Sequence, residues 1–169
     1  MNTDQMTIEQ SVTHAIDASM RNTFRKMLAS DANTIQTCSA NQTMVCVEDD
    51  DDVISVTIQW SGKLAGSITL AINDNSARAW TNGLLGESED LTEQDLIDAV
   101  QELANLVIGG AKSSLEDFDL TMSLPVVRRT DGRSLTAFAT ADCIDMRFKH
   151  GPIHVAVFTT LNECLLAID

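Results

Sequence analysis

The 169-residue sequence lacks the features that mark several common classes of protein. No apolar run approaches the roughly 20 residues that a membrane-spanning helix requires. The amino terminus also lacks the basic start and apolar block of a secretory signal, so we expect a cytoplasmic protein. Basic residues number only 11 against 25 acidic ones, which gives a net charge of −14. Because this charge repels nucleic acid and anionic lipid, we expect neither nucleic acid nor a membrane as a partner.

Motifs for metal binding or covalent chemistry are missing as well. The four cysteines are scattered without a Cys-x-x-Cys pair, which favours buried free thiols over a zinc site or disulfides. The three histidines are too dispersed for a metal cluster or a catalytic dyad. The acidic run at 48–52 lacks the spacing and the glycine of a calcium loop, which favours a solvated turn. We therefore predict no metal site and no cofactor of the protein's own.

Helix signals divide the chain into a first helix, a β-rich region and two further helices. Apolar residues recur at helical spacing over 7–29 and predict the first helix. Asn73 is a candidate N-cap for the second helix. Thr92, followed three residues later by Asp95, has the spacing of a capping box and predicts the start of a long third helix.

The remaining apolar runs predict strands on both sides of the second and third helices. These runs cover 35–38, 43–47, 53–60, 64–72, 120–124, 135–141, 143–148 and 153–159. The two runs that flank the acidic segment 48–52 have the appearance of a hairpin. Strands with helices grouped against them indicate an α/β or α+β two-layer sandwich. We expect one domain over residues 1–169, because the length suits one core and no long linker interrupts the chain.

The third helix carries a narrow polar stripe on an otherwise apolar surface. At about 100° per residue, the stripe residues fall within roughly 80° of one another. They are Asp98, Glu102, Asn105, Gly109 and Lys112. Asn is a weak helix former, and each of two interior glycines costs about 1 kcal/mol relative to Ala. Residues that disfavour a helix without a benefit to folding indicate a functional surface.

The stripe also has a plain structural interpretation. Glu-x-x-Asn is a short motif that occurs by chance, and a solvent-facing stripe needs no chemistry. Against this, Glu102 and Asn105 form the one Glu-x-x-Asn of the chain, and their helix is otherwise apolar. Gly109 and Gly110 allow two interpretations equally, which are close approach of a partner and helix–helix packing. Asp98 either extends the functional stripe or simply keeps it solvated.

The residues of this helix and the strand after it resemble a known family. The pattern Asp98-x-x-x-Glu102-x-x-Asn105-x-x-x-Gly109, followed by Ser-Leu-Pro-x-Val at 123–127, resembles the CheX branch of the CheC-like chemotaxis phosphatases. The resemblance extends over about residues 5–165, and the single copy of the motif distinguishes the chain from CheC-like members with two copies. It implies a CheC-like fold, with a mostly antiparallel sheet packed against long helices.

The resemblance also implies an activity. Members of the family remove the phosphoryl group from the aspartyl phosphate of CheY-type receiver domains. By analogy, Asn105 would orient the attacking water, Glu102 would pair with a lysine of the receiver, and Asp98 and Gly109 would belong to the partner-binding surface. Any Mg²⁺ would be supplied by the receiver, and a homodimer is expected. The alternatives are a module that binds a receiver without hydrolysis and a dimerisation domain with an inert stripe.

Overall fold

The computed structural model describes residues 6–29, 35–39, 46–87, 90–138 and 143–162. These residues form one antiparallel sheet with long helices packed on one face. The helices are α1 (Ile8–Leu28), α2 (Asp74–Leu85), α3 (Glu93–Ser113) and α4 (Gly132–Phe138), with a 3-10 turn at Glu116–Phe118. The strands are β1 (Gln36–Ser39), β2 (Asp52–Ser61), β3 (Ala65–Asn73), β4 (Thr121–Met122), β5 (Val126–Asp131), β6 (Cys143–His150) and β7 (Ile153–Asn162).

The strands follow the order β1-β6-β7-β3-β2, and β4 and β5 both pair with the far edge of β2. All these pairs are antiparallel, and the β2–β3 register places Val56 opposite Leu70. The predicted hairpin between runs 43–47 and 53–60 is wrong. Both edges of β2 are already occupied, by β3 on one side and by β4 and β5 on the other. Cys46 and Val47 form a bend, and residues 43–45 lie outside the described residues.

The main core lies between the inner face of the sheet and helices α1, α2 and α3. Alternate residues of the two central strands point into it, because side chains of a strand alternate between the two faces. These residues are Ile54, Val56, Ile58 and Trp60 from β2 and Ile68, Leu70 and Ile72 from β3. Helices on one face of an antiparallel sheet confirm the predicted α+β two-layer sandwich.

A smaller apolar cluster lies on the outer face of the sheet and includes Val53, Ala71 and Leu135. Leu135 belongs to α4, so the predicted strand at 135–141 is wrong for residues 135–138, and residues 139–141 lie outside the described residues. The carboxylate of Asp131 accepts a hydrogen bond from the backbone N–H of Ser134 at 2.7 Å. That bond caps a helix at the end of β5 and brings Leu135 onto the sheet.

Helix α1 begins with a capping box between Thr7 and Gln10 and packs against α3. Two residues of its predicted apolar face are exposed in its first and last turns, since Ile8 and Met27 keep 41% and 37% of their surface. Of the predicted free thiols, Cys46 is buried and forms no disulfide with another described cysteine, and its thiol donates to the backbone carbonyl of Phe148 at 3.8 Å.

Cys143 likewise forms no disulfide with another described cysteine but is only half-buried, and the side chains of Cys38 and Cys164 lie outside the described residues. No helix in the described ranges is both long enough and apolar enough to cross a membrane.

Candidate functional site

The predicted capping box fixes the start of α3. The hydroxyl of Thr92 accepts from the backbone N–H of Asp95, and the Asp95 carboxylate accepts from the backbone N–H of Thr92 at 2.8 Å. Donation from the Thr92 backbone holds the pKa of Asp95 below its ordinary value. Arg129 of β5 donates to both carboxylate oxygens of Glu93, the first residue of the helix, and this lowers the pKa of Glu93. The amino-terminal end of α3 is therefore bonded to the sheet.

One side of α3 is buried against the rest of the molecule. Its buried residues recur at helical spacing and are Leu96, Ala99, Val100, Leu103, Ala104, Val107, Ile108 and Ala111. The indole N–H of Trp80 in α2 donates to the backbone carbonyl of Ala99 at 2.9 Å inside the core. A buried hydrogen bond of this kind is costly to break, because its partners would stay desolvated. The bond thus joins α2 to the middle of α3.

The opposite side of α3 presents the polar stripe. Asp98, Glu102 and Asn105 are exposed, and Gly109 is half-buried in the same line. Glu102 and Asn105 are one helical turn apart, at about 4.5 Å along the helix axis. The structure therefore brings all four predicted site residues together on one surface, as their spacing indicates.

The stripe residues differ in whether they have a partner within the protein. Asp98 accepts a hydrogen bond from the side-chain amide of Gln94 at 2.7 Å. Within the described part of the chain, the side chains of Glu102 and Asn105 make neither a hydrogen bond nor an ion pair. Both side chains are therefore available to bind another molecule.

The structure separates the two glycines of α3 that the sequence leaves equivalent. A Cβ atom on Gly109 would meet no atom within 4 Å. A Cβ atom on Gly110 would lie 2.3 Å from the hydroxyl oxygen of Ser19 in α1. Helix packing therefore requires Gly110, whereas the protein's own packing does not require Gly109.

The stripe lies on an exposed helix surface. A large open groove of about 980 Å³ lies elsewhere, between the start of α1 and the sheet, and includes His14, Asp17 and Thr37. Over the described ranges, three or more metal-ligating side chains nowhere gather into a possible metal site.

Two residues that hold α3 in place are not identified from the sequence. Arg129 gives no local signal, because its partners Glu93 and Asp74 lie far away along the chain. Ser19 does give one, as a polar residue beside Met20 on the apolar face of α1. Its buried hydroxyl donates to the backbone carbonyl of Val107 at 2.6 Å.

Comparison with known families identifies this arrangement. A family model described as the chemotaxis phosphatase CheX matches residues 54–149, which is more than half of the chain. The chain belongs to the CheX family. The matched segment runs from β2 to β6, so that it contains all of α3 and its stripe. No curated protein sequence matches the chain.

Solved structures of proteins from several bacteria share the fold of this CheX-family chain. The chemotaxis protein CheX of Vibrio vulnificus is 22% identical with a TM-score of 0.67, and the match covers 89% of this chain and 96% of that one. CheX of Borrelia burgdorferi, in a complex with CheY, BeF3 and Mg²⁺, is 15% identical with a TM-score of 0.68 over 94% of this chain and 100% of that one. FliY of Thermotoga maritima is 14% identical with a TM-score of 0.64, covering 97% and 92%.

Proposed function

We propose that this CheX-family protein hydrolyses the aspartyl phosphate of a CheY-type receiver domain. The observation that carries the proposal is the exposed carboxamide of Asn105, which has no partner among the described residues. Hydrogen bonds from α1 and α2 hold the opposite, buried face of the same helix. The family description and the CheX–CheY complex of Borrelia burgdorferi support it. Chemotaxis, or related two-component signalling, is the corresponding process.

Asn105 is the residue to which we assign the chemistry. Phosphoryl transfer has a loose transition state, so catalysis consists mainly of positioning and of charge stabilisation. A carboxamide has an acceptor oxygen and two N–H donors, and it carries no charge. Asn105 can thus accept a hydrogen bond from the attacking water and donate one to a phosphoryl oxygen. A carboxylate in its place would repel the phosphate.

Glu102 and the two outer residues of the stripe bind the receiver in this proposal. Glu102 has no internal ion pair and lies one turn before Asn105, where its carboxylate can accept from a lysine of the receiver. Gly109 leaves open space that a partner backbone can enter. Asp98 extends the surface at the amino-terminal side, where Gln94 already orients its carboxylate.

The Mg²⁺ of the reaction comes with the receiver in this proposal. The Borrelia burgdorferi complex contains Mg²⁺ together with CheY. On this chain, Glu102 is the acidic residue nearest to Asn105 in the stripe, and Asp98 is engaged by Gln94. A bound Mg²⁺ would neutralise charge on the phosphoryl oxygens, and the stripe would supply water orientation and docking.

The proposed assembly is a homodimer formed along a sheet edge. Strand β5 pairs with β2 alone among the described strands, and an unpaired strand edge can pair with another chain. Two large apolar side chains lie at its start, with Leu124 86% and Val126 50% exposed. Sedimentation analysis should show a dimer that the double variant Leu124→Lys, Val126→Lys converts to monomer, and a monomeric parent would contradict the assembly.

Dephosphorylation of a CheY-type receiver, phosphorylated with acetyl phosphate, tests the proposal. The parent should accelerate phosphate release, and Asn105→Ala should lower kcat on the order of 100-fold or more, because water orientation is lost. Glu102→Ala should raise KM about tenfold, since a hydrogen bond to a charged group is lost. Asn75→Ala, at an exposed position in α2, is the matched control and should retain the parental rate.

Each alternative predicts a different result in this experiment. If Asn105→Ala hydrolyses at the parental rate, the assigned mechanism is wrong. A parent that binds phosphorylated receivers without accelerating hydrolysis would be a binding module. A parent that binds none of the host's receivers would be a dimerisation domain with an inert stripe.

A further inference from the structure

Helices α1 and α3 approach each other closely at Ser19 and Gly110. A Cβ atom on Gly110 would lie 2.3 Å from the Ser19 Oγ and 3.3 Å from the Ser19 Cβ. Real side chains do not come as close as the first of these distances, so a larger residue at 110 would push the helices apart. The spacing of the two helices therefore depends on glycine at position 110.

The Ser19 side chain is also bonded across this contact. Its hydroxyl, on a residue that is 8% exposed, donates to the backbone carbonyl of Val107 at 2.6 Å, with the Leu106 carbonyl at 3.4 Å. On the α1 side, the hydroxyl of Thr23 donates to the Ser19 carbonyl at 2.8 Å. The two acceptor carbonyls of α3 immediately follow Asn105. The contact thus fixes the rotation of α3 at the turn that carries the carboxamide.

We propose that Ser19 is a positioning residue for receiver dephosphorylation, acting through its contact with Gly110 to aim Asn105. The inference rests on the proposed function. In-line attack depends on geometry steeply enough that a 1 Å misplacement can lower the rate about 100-fold. Docking depends on several residues along the stripe and tolerates a small shift of the helix. Disturbing the contact should therefore change kcat much more than KM.

The variant Gly110→Ala tests this separation of kcat from KM. We expect kcat for the phosphorylated receiver to fall at least about tenfold, with KM within about threefold of the parent. The double variant Ser19→Gly, Gly110→Ala should recover kcat to within about threefold, because the nearest remaining atom at residue 19, its Cα, lies 4.0 Å from the new Cβ. Loss of stability alone does not predict this recovery, since Ser19→Gly removes a buried hydrogen bond and adds a helix-breaking residue.

Gly83→Ala is the matched control. It places the same methyl group on α2 against α1, where the nearest atom is the end of the flexible Leu28 side chain, and it does not touch α3. Its kcat should equal that of the parent. Circular dichroism and thermal unfolding would establish that all variants are folded at the assay temperature.

The outcomes distinguish this inference from the proposed function. A parent without activity, or an active Asn105→Ala variant, overturns both. If Asn105→Ala is inactive but folded Gly110→Ala keeps parental kcat, or if Ser19→Gly fails to restore it, only the role of Ser19 is overturned. Should Gly110→Ala not fold, Ser19→Val decides, because its larger side chain crowds the same contact from the α1 side. A parental kcat in that variant would overturn the inference.

Discussion

The two faces of α3 differ in where their hydrogen bonds and contacts go. On the buried face, the carbonyls of Ala99 and Val107 accept side-chain bonds from α2 and α1 in addition to the bonds of the helix. On the exposed face, Glu102 and Asn105 have no partner within the described residues. The difference shows how a rigid helix can present reactive groups. Bonds on one face hold the helix backbone, while the side chains on the other face stay available to another molecule.

The adjacent glycines Gly109 and Gly110 differ in the same way, since one lies at the exposed face and the other at the packed face. Gly110 faces Ser19 across a contact with no room for a methyl group, while Gly109 faces open space. Both glycines lower the intrinsic stability of the helix by about 1 kcal/mol each. Packing against Ser19 explains Gly110, whereas the fold does not explain Gly109. The partner surface proposed above provides an explanation for Gly109.

Substitutions at neighbouring positions of α3 should separate the two faces most clearly. Leu103→Ala, on the buried face, should lower the free energy of unfolding by about 2–5 kcal/mol, because it opens a cavity in the core. Glu102→Ala, one residue earlier but exposed, should change it by no more than about 0.5 kcal/mol. Urea unfolding of both variants measures the difference, and equal destabilisation would contradict the division of the helix into two faces.

Gly109→Ala should stabilise the free protein and weaken the complex. Alanine favours a helix over glycine by about 0.5–1 kcal/mol, and its methyl group meets no atom within 4 Å. The same methyl group would obstruct a partner backbone, so KM for the phosphorylated receiver should rise several-fold. Thermal unfolding and steady-state kinetics provide the two measurements. A stabilised variant with unchanged KM would remove Gly109 from the partner surface.

The smallest expected effect is on stability and concerns the capped amino-terminal end of α3. Because the pKa of Asp95 is lowered in the folded protein, its stabilising contribution is present above the ordinary value of 3.8 and is lost as pH falls through the folded pKa. Asp95→Asn lacks this titration, so the gap in stability between parent and variant should narrow from pH 7 to pH 3. Urea unfolding at both pH values measures it, and a constant gap would show that the charge does not contribute.

Local sequence signals predicted the helices well and the strand pairing less well. The bounds of α3 follow from Thr92 and Asp95 at one end and from apolar periodicity along the helix, which are local properties. The helix at 132–138 was missed because its second half belongs to the run at 135–141, whose short apolar pattern also suits a strand. This segment is a helix because Asp131 caps its first turn and because Leu135 packs on the outer face of the sheet.

For the candidate site, too, the sequence predicted part of the arrangement and left part of it open. Helical spacing alone placed Asp98, Glu102, Asn105 and Gly109 on one line, and the structure confirms that alignment. Their chemical roles, the extent of the single domain over 1–169 and cytoplasmic residence stay predictions. Ser19 was passed over because a hydroxyl on an apolar face gives no indication of which backbone carbonyl accepts from it.

The sequence by itself determined where the long helices begin and which side chains share a face, because capping and periodicity depend on residues within a few positions of one another. Only the tertiary structure decided which face is buried, which glycine is required and which strand occupies the far edge of β2. Those outcomes depend on contacts between residues far apart in the chain, such as Ser19 with Gly110 and Arg129 with Glu93. The local sequence around each of these residues does not indicate which distant residue it will contact.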